Sequence, residues 1–192
     1  MILKRYISSD MHRFNPENAH KLDSEERHNL LSPHKILTDI GIKPGMKIAD
    51  IGCGTGFFAV PAAKILGDDG QVYAFDVEKK MLTYLRMKIE KPNIVPILVE
   101  EDKLLLKDKL LDFALLAFVL HEIQSPKTYL NEVKRILKQK GNLAIIDWIK
   151  QDEEHGPPKN ERIDQKDLVK ELKELNIKIL KSDQLNGSHY VV

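Results

Sequence analysis

Cysteine is almost missing: Cys53 is the only one in 192 residues. That single thiol excludes an intrachain disulfide framework and a cysteine-based zinc site. Aromatic residues are sparse, at 6%, with one tryptophan, Trp148. A surplus of charge is missing too, since 30 Lys and Arg stand against 29 Asp and Glu. Without a basic field nothing draws the chain onto nucleic-acid phosphates or an anionic bilayer, so neither a nucleic-acid nor a membrane partner is expected. No apolar run approaches the roughly 20 residues that span a bilayer; the longest, Leu110 to Leu120, is interrupted by Asp112. Met1 to Asp10 lacks the apolar stretch and small-residue cleavage site of a signal peptide, and a cytoplasmic protein is the expectation.

What is present is 42% apolar side chains, enough for one hydrophobic core and hence one domain over residues 1–192. From residue 47 onward, short apolar or β-branched runs alternate with amphipathic stretches. Strands are predicted at 47–51, 71–76, 94–100, 111–118 and 142–148, with helices near 55–66, 79–90 and 126–138. That order is the signature of βαβ units, so the 47–150 core is predicted as an α/β, Rossmann-like doubly wound, mostly parallel sheet. Residues 1–46 show no strand pattern. Leu22, Leu30, Leu31, Ile36, Leu37 and Ile40 among charges, with Ser32-Pro33 suited to start a helix, predict a helical N-terminal cap or lid. In 151–192 a helix near 165–175 with Asp164 as its cap precedes two strand-like runs, Ile177–Lys181 and His189–Val192, around a turn at Asn186-Gly187. An antiparallel C-terminal β-hairpin would bring the sheet to seven strands.

The chemistry gathers at Asp50-Ile51-Gly52-Cys53-Gly54-Thr55-Gly56. In an open α/β sheet the ligand lies outside the carboxyl ends of the strands, anchored by the first strand-to-helix turn. Glycines there let backbone pass close to a ligand. A dinucleotide fingerprint reads G-x-G-x-x-G; here the third glycine comes one place early and Phe57 stands where it belongs. Asp50 would crowd a pyrophosphate but can serve a cationic amine. Asp76 ends the second strand, where a carboxylate accepts bonds from both ribose hydroxyls. Nicotinamide enzymes share that device. Glu100-Glu101-Asp102, after the third strand, supply an acceptor for an adenine amino group.

These residues resemble the class I S-adenosylmethionine-dependent methyltransferases, in particular the group similar to small methyltransferases of ubiquinone/menaquinone-biosynthesis type. Asp50 to Gly56 is similar to that family's first motif and Tyr73-Ala74-Phe75-Asp76 to its second. Asp112 resembles the acid of a Phe-Asp pair; twelve residues before it, Glu100 takes the place of the adenine-contacting Asp. Val119-Leu120-His121-Glu122-Ile123 and Leu130 to Gly141 resemble the stretch leading into the fifth strand, with Gln139-Lys140-Gly141 replacing a Pro-Gly-Gly turn. The likeness covers about residues 34–150. It implies S-adenosyl-L-methionine as cofactor and S-adenosyl-L-homocysteine as product, a small-molecule methyl acceptor, and cofactor contacts from Asp50, Gly52, Cys53, Gly54, Gly56, Asp76, Val77, Glu100, Glu101, Asp102, Ala117 and Phe118.

Methyl transfer from a sulfonium needs alignment and exclusion of water, and a base only if the acceptor enters protonated. His121, at the mouth of the fourth strand, is the candidate catalytic base; the alternative is a histidine that starts a helix and packs on the cofactor. His12, Phe14 and Trp148 are the candidate acceptor contacts, Trp148 with Asp147 beside it, and Tyr6 and Asn15 belong to the same proposed lid. Each has a plain packing role as the alternative. Cys53 reads as a small residue between glycines. His12, His20, His28 and His34 have no metal-ligand spacing, and no metal is expected. Lys134, Arg135, Lys138 and Lys140 read as a solvated helix end. A nicotinamide oxidoreductase and a non-catalytic nucleotide-binding module stay open as alternatives. The acceptor atom (carbon, nitrogen, oxygen or sulfur) and the oligomeric state are not specified.

Overall fold

The computed structural model describes residues 14–100 and 103–192. Seven strands form one sheet: β1 (Lys47–Ile51), β2 (Gln71–Asp76), β3 (Ile94–Leu98), β4 (Leu111–Ala117), β5 (Leu137–Trp148), β6 (Asp183–Gln184) and β7 (His189–Val191). Their order is β3-β2-β1-β4-β5-β7-β6. The first five are parallel, while β7 pairs antiparallel with both β5 and β6. The α-helices among the described residues are α1 (Glu25–Leu31), α2 (Pro33–Asp39), α3 (Ala59–Leu66), α4 (Lys79–Lys88), α5 (Pro126–Ile136) and α6 (Gln165–Glu174).

β1 and β4 are buried on both faces, which is why they read as nearly continuous apolar runs. One core layer packs Ala59, Ala62, Ala63 and Leu66 of α3 and Leu82 and Leu85 of α4 on Ile48, Val72, Phe113 and Ile146. The opposite layer packs Leu130, Val133 and Ile136 of α5 and Leu168 and Leu172 of α6 on Ala49, Phe75, Leu116 and Ile145. Helices on both faces make the sheet doubly wound. Strand order reverses between β1 and β4, and a crevice at their carboxyl ends follows from that topology.

The described part of the N-terminal cap is helical as expected: a 3-10 segment, Pro16–Asp23, then α1 and α2; residues 1–13 of that cap lie outside the described residues. Asn15 caps the first by accepting from the Glu17 N–H, and Ser24 caps α1 by accepting from the Arg27 N–H at 3.2 Å. Ser32, in the left-handed conformation, breaks α1 from α2, and Pro33 starts α2.

Three expectations need correction. Ile177–Lys181 is not a strand; β6 is Asp183–Gln184. β7 offers only His189–Val191, and Asp183 already lies opposite Val191, so the earlier residues have no ladder to join. Ile177 and Ile179 pack instead, half-buried, on the α5–α6 side of the core. The helix expected from residue 55 starts at Ala59, because Gly54 and Gly56 take positive φ, +53° and +91°, which a helix cannot. β5 starts at Leu137 rather than 142, since Leu137 pairs with Leu111 before the ladder shifts to Phe113–Asn142. Among the described residues no helix is long and apolar enough to cross a membrane.

Candidate active site

The first turn is built by glycine. Gly52, Gly54 and Gly56 all have positive φ. A Cβ on Gly52 would sit 2.6 Å from Val119 Cγ2, and one on Gly56 2.5 Å from Leu85 Cδ1. The Gly52 and Cys53 N–H groups both donate to the Phe75 carbonyl at 2.9 Å, fixing the turn against β2. Cys53 is buried, and burial pushes its thiol up, away from the reactive thiolate form.

Two acids flank this turn. Asp50, near the end of β1, is 2% exposed. The Ala59 N–H at the start of α3 donates to its carboxylate, but Oδ2 has no hydrogen-bond partner among the described residues. Burial first, then the neighbouring Asp76, pushes its pKa up to about 7. Asp76, ending β2, accepts from the Gly54 N–H and from the Glu78 N–H, each at 2.8 Å. Burial raises it as well, against the pull of those two bonds. The Val77 N–H adds a third backbone bond, so about one of the carboxylate's lone-pair sites is left for a ligand.

The cap closes over the turn. Leu22 Cδ1 lies 3.3 Å from the place of a Gly54 Cβ. Asp23 pairs with Lys88 of α4. Arg27 stacks its guanidinium 4.3 Å from the Phe57 ring centre and 5.4 Å from that of Phe118. Burial lowers its pKa to about 10, opposed by the charges of Asp23 and Asp50. An open cavity of about 550 Å³ lies between α1–α2 and α3, lined by His28, Pro33, Val60 and Lys64 among others and by no residue of the glycine turn, and the His28 ring is 4.7 Å from Phe57.

Past β4 the chain turns sharply. Phe118 has φ +61°, a strained value for a bulky residue, held by its N–H bond to the Ile146 carbonyl at 2.8 Å. Its ring faces His189 (5.0 Å) and Trp148 (5.8 Å), and Trp148 and His189 are 4.4 Å apart. His189, on β7, is 1% exposed and neither ring nitrogen has a hydrogen-bond partner among the described residues. Burial lowers its pKa to about 4. Behind Trp148 the buried Arg162 binds the carbonyls of Ile149, His155 and Pro157 and pairs with Glu153, which fixes the loop after β5. Next along, a 3-10 turn, Leu120–Glu122, presents His121. Its Nδ1 lies 2.8 Å from Oδ1 of Asp147, which is fully buried on β5. Glu122 accepts from the Phe14 N–H at 3.2 Å, and burial raises its pKa.

The structure therefore brings Asp50, Gly52, Cys53, Gly54, Gly56, Asp76, Ala117, Phe118, His121 and Trp148 to the carboxyl ends of β1, β2, β4 and β5, and ties Phe14 there through Glu122. Val77 and Glu100 are exposed after β2 and β3, on the side where Asp76 lies. His12, Tyr6, Glu101 and Asp102 lie outside the described residues. The basic cluster is solvated as expected, with Lys134, Lys138 and Lys140 exposed, but Lys138 and Lys140 lie on β5 rather than on the helix, and the cluster is tied to its neighbours: Arg135 binds Glu132, Asp108 and the Leu104 and Leu106 carbonyls, Lys138 pairs with Asp112, and Lys134 donates to the Leu175 carbonyl. Arg27, Glu122 and His189 escape the sequence reading. The Ser24 cap signal marks the start of α1, but only tertiary packing puts Arg27 against Phe57, and the burial of His189 depends on where β7 pairs.

A buried carboxylate, Asp50, with an oxygen that has no hydrogen-bond partner among the described residues suits a cation, a glycine turn without Cβ atoms suits close contact, Arg27 suits an anion, and Asp76 suits vicinal hydroxyls. A nucleoside joined to a zwitterionic amino acid presents all of these groups. Residues 49–145 match the methyltransferase domain family. A ubiquinone/menaquinone biosynthesis C-methyltransferase of Laribacter hongkongensis is 33% identical over 119 residues, 61% of this chain and 49% of that protein. The chain thus spans about half the length of that curated relative. The crystal structure of a SAM-dependent methyltransferase from Aquifex aeolicus superimposes with a TM-score of 0.89 at 34% identity, over 94% of this chain and 97% of the other. The [4+2]-cyclase SpnF shares the fold alone, with a TM-score of 0.72 at 21% identity over 84% of this chain and 62% of SpnF. With a family match over half its length and a 34%-identical structure aligned over nearly all of it, the chain belongs to the class I S-adenosylmethionine-dependent methyltransferases.

Proposed function

We propose that this protein transfers the methyl group of S-adenosylmethionine to a small-molecule acceptor bound at the carboxyl ends of β4 and β5. The observation that carries the donor assignment is Asp50, a buried acid beside the glycine turn with an oxygen that has no hydrogen-bond partner among the described residues. An isolated buried carboxylate is costly, and the donor's ammonium group offsets that cost directly. Arg27 takes the donor's carboxylate, Asp76 the ribose hydroxyls and Glu100 the adenine amino group. Bound there, the donor supplies an activated methyl group. The protein aligns it with the acceptor and excludes water. Phe118 and Trp148 offer apolar ring faces to the acceptor, and balanced charge, with 30 Lys and Arg against 29 Asp and Glu, favours a small ligand over a polyanion. The Laribacter relative is named for C-methylation in quinone biosynthesis, which supports a small acceptor.

Calorimetric titration with adenosylhomocysteine tests the donor site. Saturable binding is expected, and a folded protein that takes up neither adenosylhomocysteine nor adenosylmethionine would refute the reading. Asp76→Ala is expected to weaken binding by roughly 10- to 100-fold, the equivalent of about 1.5–3 kcal/mol for hydrogen bonds to a charged group. Circular dichroism of the variant checks that the sheet is retained.

A further inference from the structure

The structure assigns Arg162 as a positioning residue for the acceptor: its guanidinium gathers the loop after β5 and lays Gly156 against Trp148, so that the indole stands as a fixed wall and the site selects flat acceptors over branched ones. This rests on the methyl-transfer reading and deepens it. Between β5 and α6, residues 149–164 form neither helix nor strand. Connections of that length are uncommon in a compact domain, and one with a single shape needs something to hold it. Arg162 does so from inside, with its side chain 1% exposed. Nε donates to the Pro157 carbonyl at 2.9 Å, Nη1 to the Ile149 carbonyl at 2.9 Å and to the Glu153 carboxylate, and Nη2 to the His155 carbonyl at 2.8 Å. Four acceptors on one planar fork are a geometry that a lysine cannot reproduce. Gln151 then links Glu153, at 3.1 Å, to the Gly187 carbonyl, at 2.7 Å, which ties the loop to the turn before β7.

Closing the loop would not by itself require contact with Trp148, yet the loop is pressed onto it. Gly156 has φ +86°, and a Cβ there would lie 2.9 Å from each of three indole carbons, Cδ2, Cε2 and Cε3. Bare backbone therefore covers the ring face at a place where any side chain would push the indole aside. The Arg162 Cζ is 5.0 Å from the indole centre, and the His189 and Phe118 rings meet it at 4.4 Å and 5.8 Å. With contacts from the loop, from β7 and from the turn after β4, the indole is held in one place. Half-buried at the carboxyl end of β5, it keeps part of its apolar surface for a ligand. A wall that cannot swing accepts a thin molecule and makes a branched one overpack. Arg162 touches neither donor nor acceptor in this scheme and acts through Trp148.

Two measurements on the full chain test this. Trp148 is the only tryptophan, so the chain's own fluorescence reads the wall directly. With adenosylhomocysteine bound, the wild-type anisotropy is expected to decay with overall tumbling alone. Arg162→Lys should add a faster, picosecond-to-nanosecond decay and raise quenching by acrylamide. Gly156→Ala, which leaves the Arg162 bonds in place, should displace the ring and shift its emission, and it keeps the test whole should Arg162→Lys not fold. In the second measurement, aryl thiols, amines and hydroxyl compounds, each with and without a tert-butyl branch, are offered with saturating adenosylmethionine. The wild type is expected to methylate the unbranched member of at least one pair with a KM about tenfold or more below that of its branched partner. Both variants should shrink that ratio severalfold while kcat for the unbranched member changes far less, the pattern of a binding wall rather than of a damaged fold. Fluorescence identical to wild type in both variants, an unchanged KM ratio where the indole has moved, or a wild type that binds adenosylhomocysteine yet methylates no member overturns the proposal. Adenosylhomocysteine binding should persist in both variants. Absence of that binding in the wild type defeats the donor reading instead.

Discussion

Asp50 is held where an acid is costly, and in the proposed donor site that cost ties cofactor binding to pH. Its pKa is raised from 3.8 to about 7 by burial and by Asp76. Between those values the unfolded chain has lost the proton and the folded one keeps it, so stability falls as pH rises through that window and stays lower above it. An ammonium group binds the ionised form. Affinity for adenosylhomocysteine is therefore expected to rise as pH increases across about 7, with proton release on binding that fades at higher pH. Calorimetry in buffers of different ionisation enthalpy measures both. Asp50→Asn removes the buried charge: the unliganded variant should melt higher than wild type in alkaline buffer while binding the cofactor at least tenfold more weakly. A variant that melts lower and binds as wild type would place Asp50 in a purely structural role. Asp50 and Asp76 were legible in the sequence because each ends an apolar strand run, so its position along the strand fixes its place on the sheet edge. Arg27 and His189 were not, because their neighbours come from segments far away in the chain.

At the scale of elements, the glycine turn separates backbone need from packing. Gly56 has φ +91°, and a Cβ there would lie 2.5 Å from Leu85 Cδ1, on a fully buried leucine of α4. Gly45, at φ +77°, has nothing within 4 Å of its would-be Cβ. Gly45→Ala should therefore cost only the left-handed backbone, about 1–2 kcal/mol. Gly56→Ala adds overpacking of about 1–3 kcal/mol and displaces the turn that forms the proposed cofactor site. Urea unfolding of the two variants is expected to show Gly56→Ala as the more destabilised, and calorimetry to show weakened adenosylhomocysteine binding in that variant alone. Equal midpoints would mean that Leu85 yields freely. The same residues explain a limit of the sequence reading. The apolar period runs on through Phe57 and Phe58 and predicts a helix from 55, whereas positive φ at Gly54 and Gly56 delays α3 to Ala59. The alternation in Ile177–Lys181 likewise looks like a strand. Whether alternation becomes a strand depends on a free partner, and β7 is too short to supply one.

For the whole molecule, the parallel strands could be read because burial on both faces makes them continuous apolar runs, but the edge that receives the C-terminal hairpin could not. Ile145 and Val192 exchange two backbone bonds of 2.9 Å, and Tyr190 sits opposite Asp147, so β7 docks on β5. That docking buries His189 against Phe118 and Trp148, and the acid response of the entire fold follows. Burial lowers the His189 pKa from 6.5 to about 4. Between those values the unfolded chain binds a proton that the folded chain refuses, so this residue makes stability fall as pH falls, by up to about 3 kcal/mol near the lower limit. Asp50 acts in the opposite direction over much of the same window, so the wild-type curve is flatter than either group alone would make it. His189→Phe keeps a ring in the stack and removes the titration. Its stability, from urea unfolding, should therefore climb more steeply than wild type as pH is lowered from about 7 to about 4, the two curves separating mainly below about 6.5. Parallel curves would show that β7 opens to let His189 take up its proton before the sheet unfolds.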